Sequence, residues 1–437
     1  MRLIRLLKHD LAREVASWVG DGIISTEQAV SICSRYGVDY HNRSRRSYGY
    51  LVLLGLGYLF VGLALITLIG ANWDEIPRAV RMSALVALTL GANLTGLYQF
   101  RHQKDSASIG WFFLGGLFYG TSIMLIAQIY HIDEHFPDGI FWWAMGVLPV
   151  ALLLENSLVM MLAVGLGFVW FFVESSLDFY PALFPVFLAA TAWHLHRGRQ
   201  SGVLFLTLVA GLTIWAEYSL AWFTSDKPGF QPGAENVALG AGLLLAFHGL
   251  AEWLEARKEP IPADYGALLG IWVLRFSIIA LFVFSFDDPW RELIEANWKM
   301  PGLMIALSLA LSASALWLVH AARKPLASTA VFALLLIISL AAVMLVENKE
   351  YDRAFQFADN LVLVAAGIRL IAGGIRNSIS HYFYLGVLTI LATGLLRYID
   401  FVGDYIGTSI LFAIVAAILL LAAKYWKSSR AGAGSIP

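Results

Sequence analysis

The sequence predicts an all-α fold, a polytopic transmembrane helical bundle, and three observations support this fold class. Of the 437 residues, 59% are hydrophobic and only 14% are charged, with a mean hydropathy of +0.70. A soluble domain carries about a quarter charged residues. Apolar runs of about 20 residues, the length that crosses a bilayer as a helix, recur along the chain. Basic residues alternate between the two predicted sides of the membrane. Most of the chain is therefore expected to lie in lipid.

About fourteen runs are long and apolar enough to be candidate spans. We expect helices because lipid offers no hydrogen-bond partner to an open backbone. The fourth to sixth runs are joined by very short links, so the count depends on how these are divided. The candidate spans are residues 50–70, 79–99, 109–130, 138–154, 157–173, 179–195, 202–223, 235–253, 265–286, 300–319, 326–346, 357–373, 379–397 and 404–425.

The charge distribution tests this arrangement independently. If the N-terminus is cytoplasmic and the sides alternate, twenty-one of the 30 Lys and Arg residues fall on the cytoplasmic side. Acidic residues such as Asp133, Asp178 and Asp287 fall on the outer side. Because cytoplasmic loops are enriched in basic residues, this pattern predicts that both termini are cytoplasmic.

The N-terminal segment predicts a small cytoplasmic head, residues 1–47, before a transmembrane domain, residues 48–437. Leucines at helical spacing predict a first helix, which the Gly20–Gly22 segment ends. Ser25 and Gln28 have the spacing of a capping box, which predicts the start of a second helix. A helical hairpin of this size buries little surface alone. We expect it to contact a protein partner, a second copy of the chain, or the membrane face.

Composition excludes several kinds of site. Cys33 is the single cysteine, so neither an intrachain disulfide nor a cysteine-built metal site is expected, and a buried reduced thiol is predicted. The net charge of −1 gives no indication of a nucleic-acid partner. Phosphate-binding loops, nucleophile elbows and dinucleotide fingerprints are lacking, so no cofactor is predicted.

Two similar segments suggest an internal repeat. Ala71-Asn72-Trp73 precedes Pro77 and a span, and Ala296-Asn297-Trp298 precedes Pro301 and a span. Aligning them pairs the first six spans with the last six in a 6+2+6 plan with parallel repeats, a recurrent transporter arrangement. Chance recurrence of Asn-Trp is the alternative interpretation.

Glycines recur inside the predicted spans, for example Gly373 and Gly374 in the twelfth. Such residues allow neighbouring helices to approach closely. Static packing and hinge motion use them equally, so they do not discriminate between functions.

Ionisable and polar groups inside spans are costly and are therefore functional candidates. The candidates for a substrate or ion pathway are Glu217, Arg275, Gln128 and His131. Glu217 and Arg275 are also expected to be able to pair across the bundle, which would make both structural.

A second group of polar residues is predicted at the outer face. Carboxylates, histidines and an arginine at one membrane level suit cation binding, proton relay or acid–base chemistry on an envelope substrate. The alternative is an acidic, aromatic-rich interface that keeps the loops in water. His131 and His135 lack the order of zinc-protease ligands, so no metal site is predicted. The members of this outer-face cluster are Asn72, Trp73, Asp74, Glu75, Arg78, Arg397 and Asp400.

Four segments carry a family resemblance: residues 18–29, 71–77, 126–132 and 397–400, which read WVGDGIISTEQA, ANWDEIP, IAQIYHI and RYID. Together they resemble the predicted bacterial membrane proteins of domain-of-unknown-function family 2157, mostly from the head to the third span. The resemblance implies a bacterial inner-membrane location. It brings no catalytic or binding residues.

Three classes of function remain open. The leading hypothesis is a non-enzymatic membrane protein that transports or handles a small solute or an envelope lipid intermediate. The second is a scaffold or sensor whose head recruits a partner. The third is a membrane-embedded enzyme that modifies an envelope glycan or lipid, for which Asp74, Glu75 and His131 would have to converge in one outward cleft.

Overall fold

The structure is a computed structural model that describes residues 8–35, 40, 48–71, 77–130, 135–197, 200–225, 231–346, 351–376, 379–400, 409, 413, 416 and 417. Within these residues every extended regular element is a helix and no strand occurs. The prediction of an all-α protein is confirmed.

The head contains two short helices, α1 (Lys8–Gly20) and α2 (Thr26–Arg35), which pack against each other. The predicted capping box is confirmed by two hydrogen bonds. Ser25 Oγ accepts from the main-chain N–H of Gln28 at 3.2 Å, and Gln28 Oε1 accepts from the main-chain N–H of Ser25 at 2.9 Å. Cys33 is fully buried in the small core of this hairpin, as predicted. The predicted domain boundary after residue 47 stays a prediction.

The chain divides into two compact units. The first comprises residues 1–232 and 257–268, and the second comprises residues 233–256 and 269–437. After the head, the helices of the first unit are α3 (Tyr48–Ala71), α4 (Arg78–Arg101), α5 (Asp105–Tyr130), α6 (Phe136–Leu154), α7 (Ser157–Ser176), α8 (Phe184–Arg197) and α9 (Gly202–Thr224).

The core of the first unit is apolar and aromatic. Phe171, Phe184 and Phe187 are almost completely buried, together with Met160 and Leu204. The ring centroids of Phe171 and Phe184 are 4.7 Å apart, so α7 and α8 are in direct contact.

The second unit is built from the remaining helices. They are α10 (Ala234–Glu255), α11 (Pro260–Phe284, of which the part from residue 269 belongs here), α12 (Asp287–Glu295), α13 (Pro301–Ala321), α14 (Ala327–Leu345), α15 (Asp352–Arg376) and α16 (Ser380–Asp400). The closest packing joins α10 to α13 and α15 to α16.

Glycines explain these two close approaches. A Cβ added at Gly249 of α10 would lie 2.6 Å from the Ala315 Cα of α13. A Cβ at Gly374 of α15 would lie 2.5 Å from the Phe383 amide nitrogen near the start of α16. Gly373 faces open space instead. Backbone approach of this kind is what small residues provide between membrane helices.

Ten described helices are long and apolar enough to cross a membrane: α4, α5 as far as Ala127, α6, α7, α9, α10, α11, α13, α14 and α15. Helix α3 contributes a shorter apolar stretch, Leu53–Ala64. The prediction of many membrane-crossing helices is confirmed. The count of fourteen and the 6+2+6 repeat stay predictions, since most of residues 404–425 and the first Asn-Trp pair lie outside the described residues.

Two local features differ from the predicted spans. The sixth predicted span, 179–195, becomes helical only at Phe184, because Pro181 supplies no amide donor and the chain forms turns before α8. The predicted outer loop after the ninth span contains the nine-residue helix α12. Because α12 is short and charged, a hydropathy profile does not identify it as a helix. Pro289 lies in its first turn, where a missing main-chain N–H is tolerated.

Candidate functional site

Much of the predicted outer-face cluster lies outside the described residues. Asn72, Trp73, Asp74 and Glu75 are in undescribed segments, as is the pathway candidate His131. The side chains of Asp400 and of the pathway candidate Gln128 also lie outside the described part of the chain. Their convergence therefore stays a prediction, and with it the cleft that an enzyme would need. Of the remaining members, Arg78 is exposed at the start of α4, and Arg397 is half-buried on α16.

The two predicted intramembrane charges fall in different units. Glu217 is half-buried on α9 of the first unit. Arg275 is exposed on α11 of the second unit, and its guanidinium carbon lies 5.2 Å from the centroid of the Trp272 ring. This contact is of the cation–π type and suits a cation on a lipid-facing helix. The pairing of Glu217 with Arg275 stays a prediction.

A group of buried and half-buried polar residues lies at one end of the second unit, where α11 ends and α15 begins. Ser285 follows the end of α11, and its main-chain oxygen accepts from Gln356 Nε2 at 3.1 Å and from Asn360 Nδ2 at 3.2 Å. Asn360 Nδ2 also donates to the Gln356 carbonyl at 2.7 Å. We call Ser285, Gln356, Asp359, Asn360 and Arg397 the α15 polar cluster.

Asp359 is the most unusual member of this cluster. Its exposed fraction is only 8%, and its Oδ2 is buried without a hydrogen-bond partner among the described residues. The charge of Arg397 on α16 acts on this carboxylate. The Arg397 guanidinium carbon also lies 5.5 Å from the centroid of the Phe286 ring. A buried carboxyl group in a membrane protein, with one oxygen that lacks a hydrogen-bond donor among the described residues, is a functional candidate.

Helix α12 covers the same end of the second unit and is fixed there by two residues. Trp290 is stacked on Phe355 of α15 with ring centroids 5.1 Å apart, and its Nε1 donates to the Phe284 carbonyl at 2.7 Å. Arg291 donates to Asp352 at the start of α15. This hydrogen bond raises the pKa of the Arg291 guanidinium above its ordinary value, so the group stays charged.

Arg291 also forms ion pairs with its own helix. Its Nη2 lies 3.1 Å from an oxygen of Asp287, and its Nη1 lies 3.1 Å from an oxygen of Asp288. These two carboxylates occupy the first turn of α12, where the helix dipole favours negative charge.

Charged residues also meet between α10 and the turn after α13. Lys324 Nζ lies 2.5 Å from an oxygen of Glu252 and 2.8 Å from an oxygen of Glu255. His248 Nε2 lies 3.3 Å from Thr329 Oγ1 of α14. These contacts join neighbouring helices of the second unit and indicate a structural role.

The first unit contains two further polar features. His135 Nε2 lies 3.0 Å from Glu174 Oε2, which links the start of α6 to the end of α7. A cavity of about 230 Å³ opens where α4 and α6 end, with Asp105, Glu155 and Asn156 in its wall. None of the site residues predicted from the sequence lines it. Within the described part of the chain, no three His, Cys, Asp or Glu side chains are grouped to hold a metal ion.

Sequence reasoning missed Asp359 and Asn360, although a signal was present. Both lie inside the predicted span 357–373, and an ionisable residue within a span is a default candidate. Their position near one end of the span made them resemble ordinary interfacial residues. Arg397 was predicted, but on the outer loop and not beside a buried carboxylate.

Taken together, the helices and their hydropathy define a membrane protein with several apolar membrane-crossing helices. The family model "Predicted membrane protein (DUF2157)" matches residues 16–160, which run from the head into α7. The predicted resemblance to family 2157 is confirmed for this part of the chain. Comparisons with curated proteins and with solved structures gave no match.

Proposed function

We propose that this protein is a non-enzymatic integral protein of the bacterial inner membrane that transports or handles a small solute or an envelope lipid intermediate. Both termini are cytoplasmic in this proposal. The family match supports the membrane location. The asymmetric distribution of Lys and Arg supports the orientation.

One observation carries the proposal, namely the burial of Asp359 on α15, one of the helices that are long and apolar enough to cross a membrane. A bundle that is only structural has no need of Asp359, because an apolar residue there would avoid the cost of burying a carboxyl group. A protein that binds a polar molecule within the membrane needs such groups.

Two probes of different chemistry test this proposal in proteoliposomes. A fluorescent polyprenyl phosphate reports lipid handling through its accessibility to an external quencher. A soluble extract of isotopically labelled cells, trapped inside the vesicles, reports loss of small solutes by mass spectrometry. We expect the wild-type protein to redistribute at least one probe and Asp359→Asn to reduce that redistribution at least tenfold, on the order of the effects seen when a buried charged group is removed.

Two further substitutions show whether the effect of Asp359→Asn is specific to that residue. Asp287→Asn removes a half-buried carboxylate of α12 in the same unit and is expected to leave redistribution unchanged. Glu217→Gln tests the pathway residue predicted from the sequence. If vesicles with wild-type protein match protein-free vesicles for both probes, the proposed function is wrong.

A second candidate function, recruitment of a partner by the head, is favoured by a specific surface feature. Ile23 lies in the turn between α1 and α2 with an exposed fraction of 68%, on a hairpin that has its own buried core. Deletion of residues 1–47 should then have the same effect on the cell as loss of the whole protein, although the bundle stays folded. Ile23→Asp should have this effect as well. A deletion strain that behaves as wild type would exclude this role.

A further inference from the structure

We propose that Asp359 is a proton-binding site, whose carboxyl group takes up and releases a proton within the membrane bundle. The carboxylate is buried, its Oδ2 has no hydrogen-bond donor among the described residues, and the charge of Arg397 acts on it from the neighbouring helix. Any coupling of this proton to the movement of a substrate rests on the proposed function. The protonation itself does not.

The oxygen atoms around Asp359 favour a proton over a metal cation. A hard cation takes about six or more oxygen ligands. In the described part of the cluster, Asp359 Oδ2 and Asn360 Oδ1 are the buried oxygens that lack a partner. The Ser285 carbonyl already accepts two hydrogen bonds. A proton needs one oxygen, which Asp359 supplies.

Burial and the charge of Arg397 act on the Asp359 carboxyl group in opposite directions. Burial penalises the charged carboxylate, whereas Arg397 of α16 favours it. On α12, which also packs against α15, Arg291 is engaged by Asp352, Asp287 and Asp288. Removal of the Arg397 charge therefore alters the electrostatic environment of the Asp359 carboxyl group.

The buried face of α15 provides a route for the proton. Asp352, Gln356 and the pair Asp359–Asn360 follow one another at intervals of about one helical turn and share one face. Seven residues of helix place Asp359 about 10 Å along the axis from Asp352. A proton from the aqueous phase adds to Asp359 Oδ2 and forms an O–H bond. Release breaks that bond and restores the carboxylate.

Infrared difference spectroscopy of the protein in nanodiscs tests this inference during a pH titration. We expect a carboxylic-acid carbonyl band that disappears as the pH rises in the wild-type protein. Asp359→Asn should remove the band, and Asp287→Asn, the matched control on α12, should retain it. Arg397→Gln should change the pH range over which the band disappears, because a charge that acts on the carboxyl group has been removed.

Two further variants keep the test decisive if Asp359→Asn does not fold. Asp359→Glu keeps a titrating carboxyl group and should show the band at a shifted frequency. Asp352→Asn leaves Asp359 in place and should retain the band. A wild-type spectrum without a titrating acid band, or a band unchanged in Asp359→Asn, overturns the inference. That result would not affect the proposed function, which is tested separately by probe redistribution in vesicles. Conversely, a titrating band without probe redistribution would overturn only the proposed function.

Discussion

Arg291 Nε and Nη2 both donate to the same carboxylate oxygen of Asp352, at 3.1 and 3.0 Å. Asp352 is buried at the start of α15, whereas Arg291 is on α12 and is partly exposed. The other Asp352 oxygen accepts from the Arg353 amide at 2.6 Å. The pair therefore fixes the interhelical position of α12 against the helix that carries the α15 polar cluster.

We predict that Arg291→Gln lowers the Tm of the detergent-solubilised protein by several degrees. The substitution leaves the buried Asp352 carboxylate without its charged donor, and a buried acceptor that loses its donor is costly. Glu292→Gln changes an exposed neighbour on the same helix and should leave the Tm unchanged. Equal Tm values for Arg291→Gln and wild type would show that α12 is not held by this contact.

Adjacent glycines of α15 provide a second test. Gly374→Ala should destabilise the protein by about 1–3 kcal/mol, because its new methyl group overlaps the Phe383 backbone of α16, which cannot move aside easily. Gly373→Ala, one residue earlier, faces open space and should be neutral or slightly stabilising. Thermal unfolding of both variants gives the comparison. Similar stabilities would contradict the close packing of α15 on α16.

The capping box of the head gives a third test. Ser25→Ala removes the acceptor of the Gln28 amide and should destabilise the start of α2 by about 1 kcal/mol. Hydrogen exchange of the full-length protein should show several-fold faster exchange in residues 26–29. Ser31→Ala changes an exposed serine of the same helix and should not accelerate exchange. Unchanged exchange in Ser25→Ala would mean that the cap does not stabilise the hairpin.

Most helices of the bundle could be predicted because, in lipid, backbone N–H and C=O groups must form hydrogen bonds within the protein, and an apolar helix does this. The predicted run 202–223 agrees closely with α9, Gly202–Thr224. The Ser25–Gln28 cap was equally readable, since it depends on residues three apart. Helix α12 was not readable from hydropathy, since its position depends on tertiary contacts made by Trp290 and Arg291.

The candidate site was harder to predict for the same reason. Arg397 was selected from the sequence as an outer-face residue. Its electrostatic interaction with Asp359, however, is between residues that are 38 positions apart in the sequence and lie on two different helices. Hydropathy and spacing contain no information on which faces of α15 and α16 meet. That depends on packing, including the contact of Gly374 with Phe383.

The central claim, that the chain crosses the membrane repeatedly with its basic turns inside, is tested by cysteine accessibility. In a Cys33→Ala background, single cysteines are placed at the exposed positions Lys104, Lys258, Ser176 and Asp288. Intact spheroplasts are treated with a membrane-impermeant maleimide. We expect labelling of Ser176→Cys and Asp288→Cys in intact spheroplasts, and of Lys104→Cys and Lys258→Cys only after permeabilisation. Labelling of Lys258→Cys and Asp288→Cys from the same side, across α11, would contradict the claim.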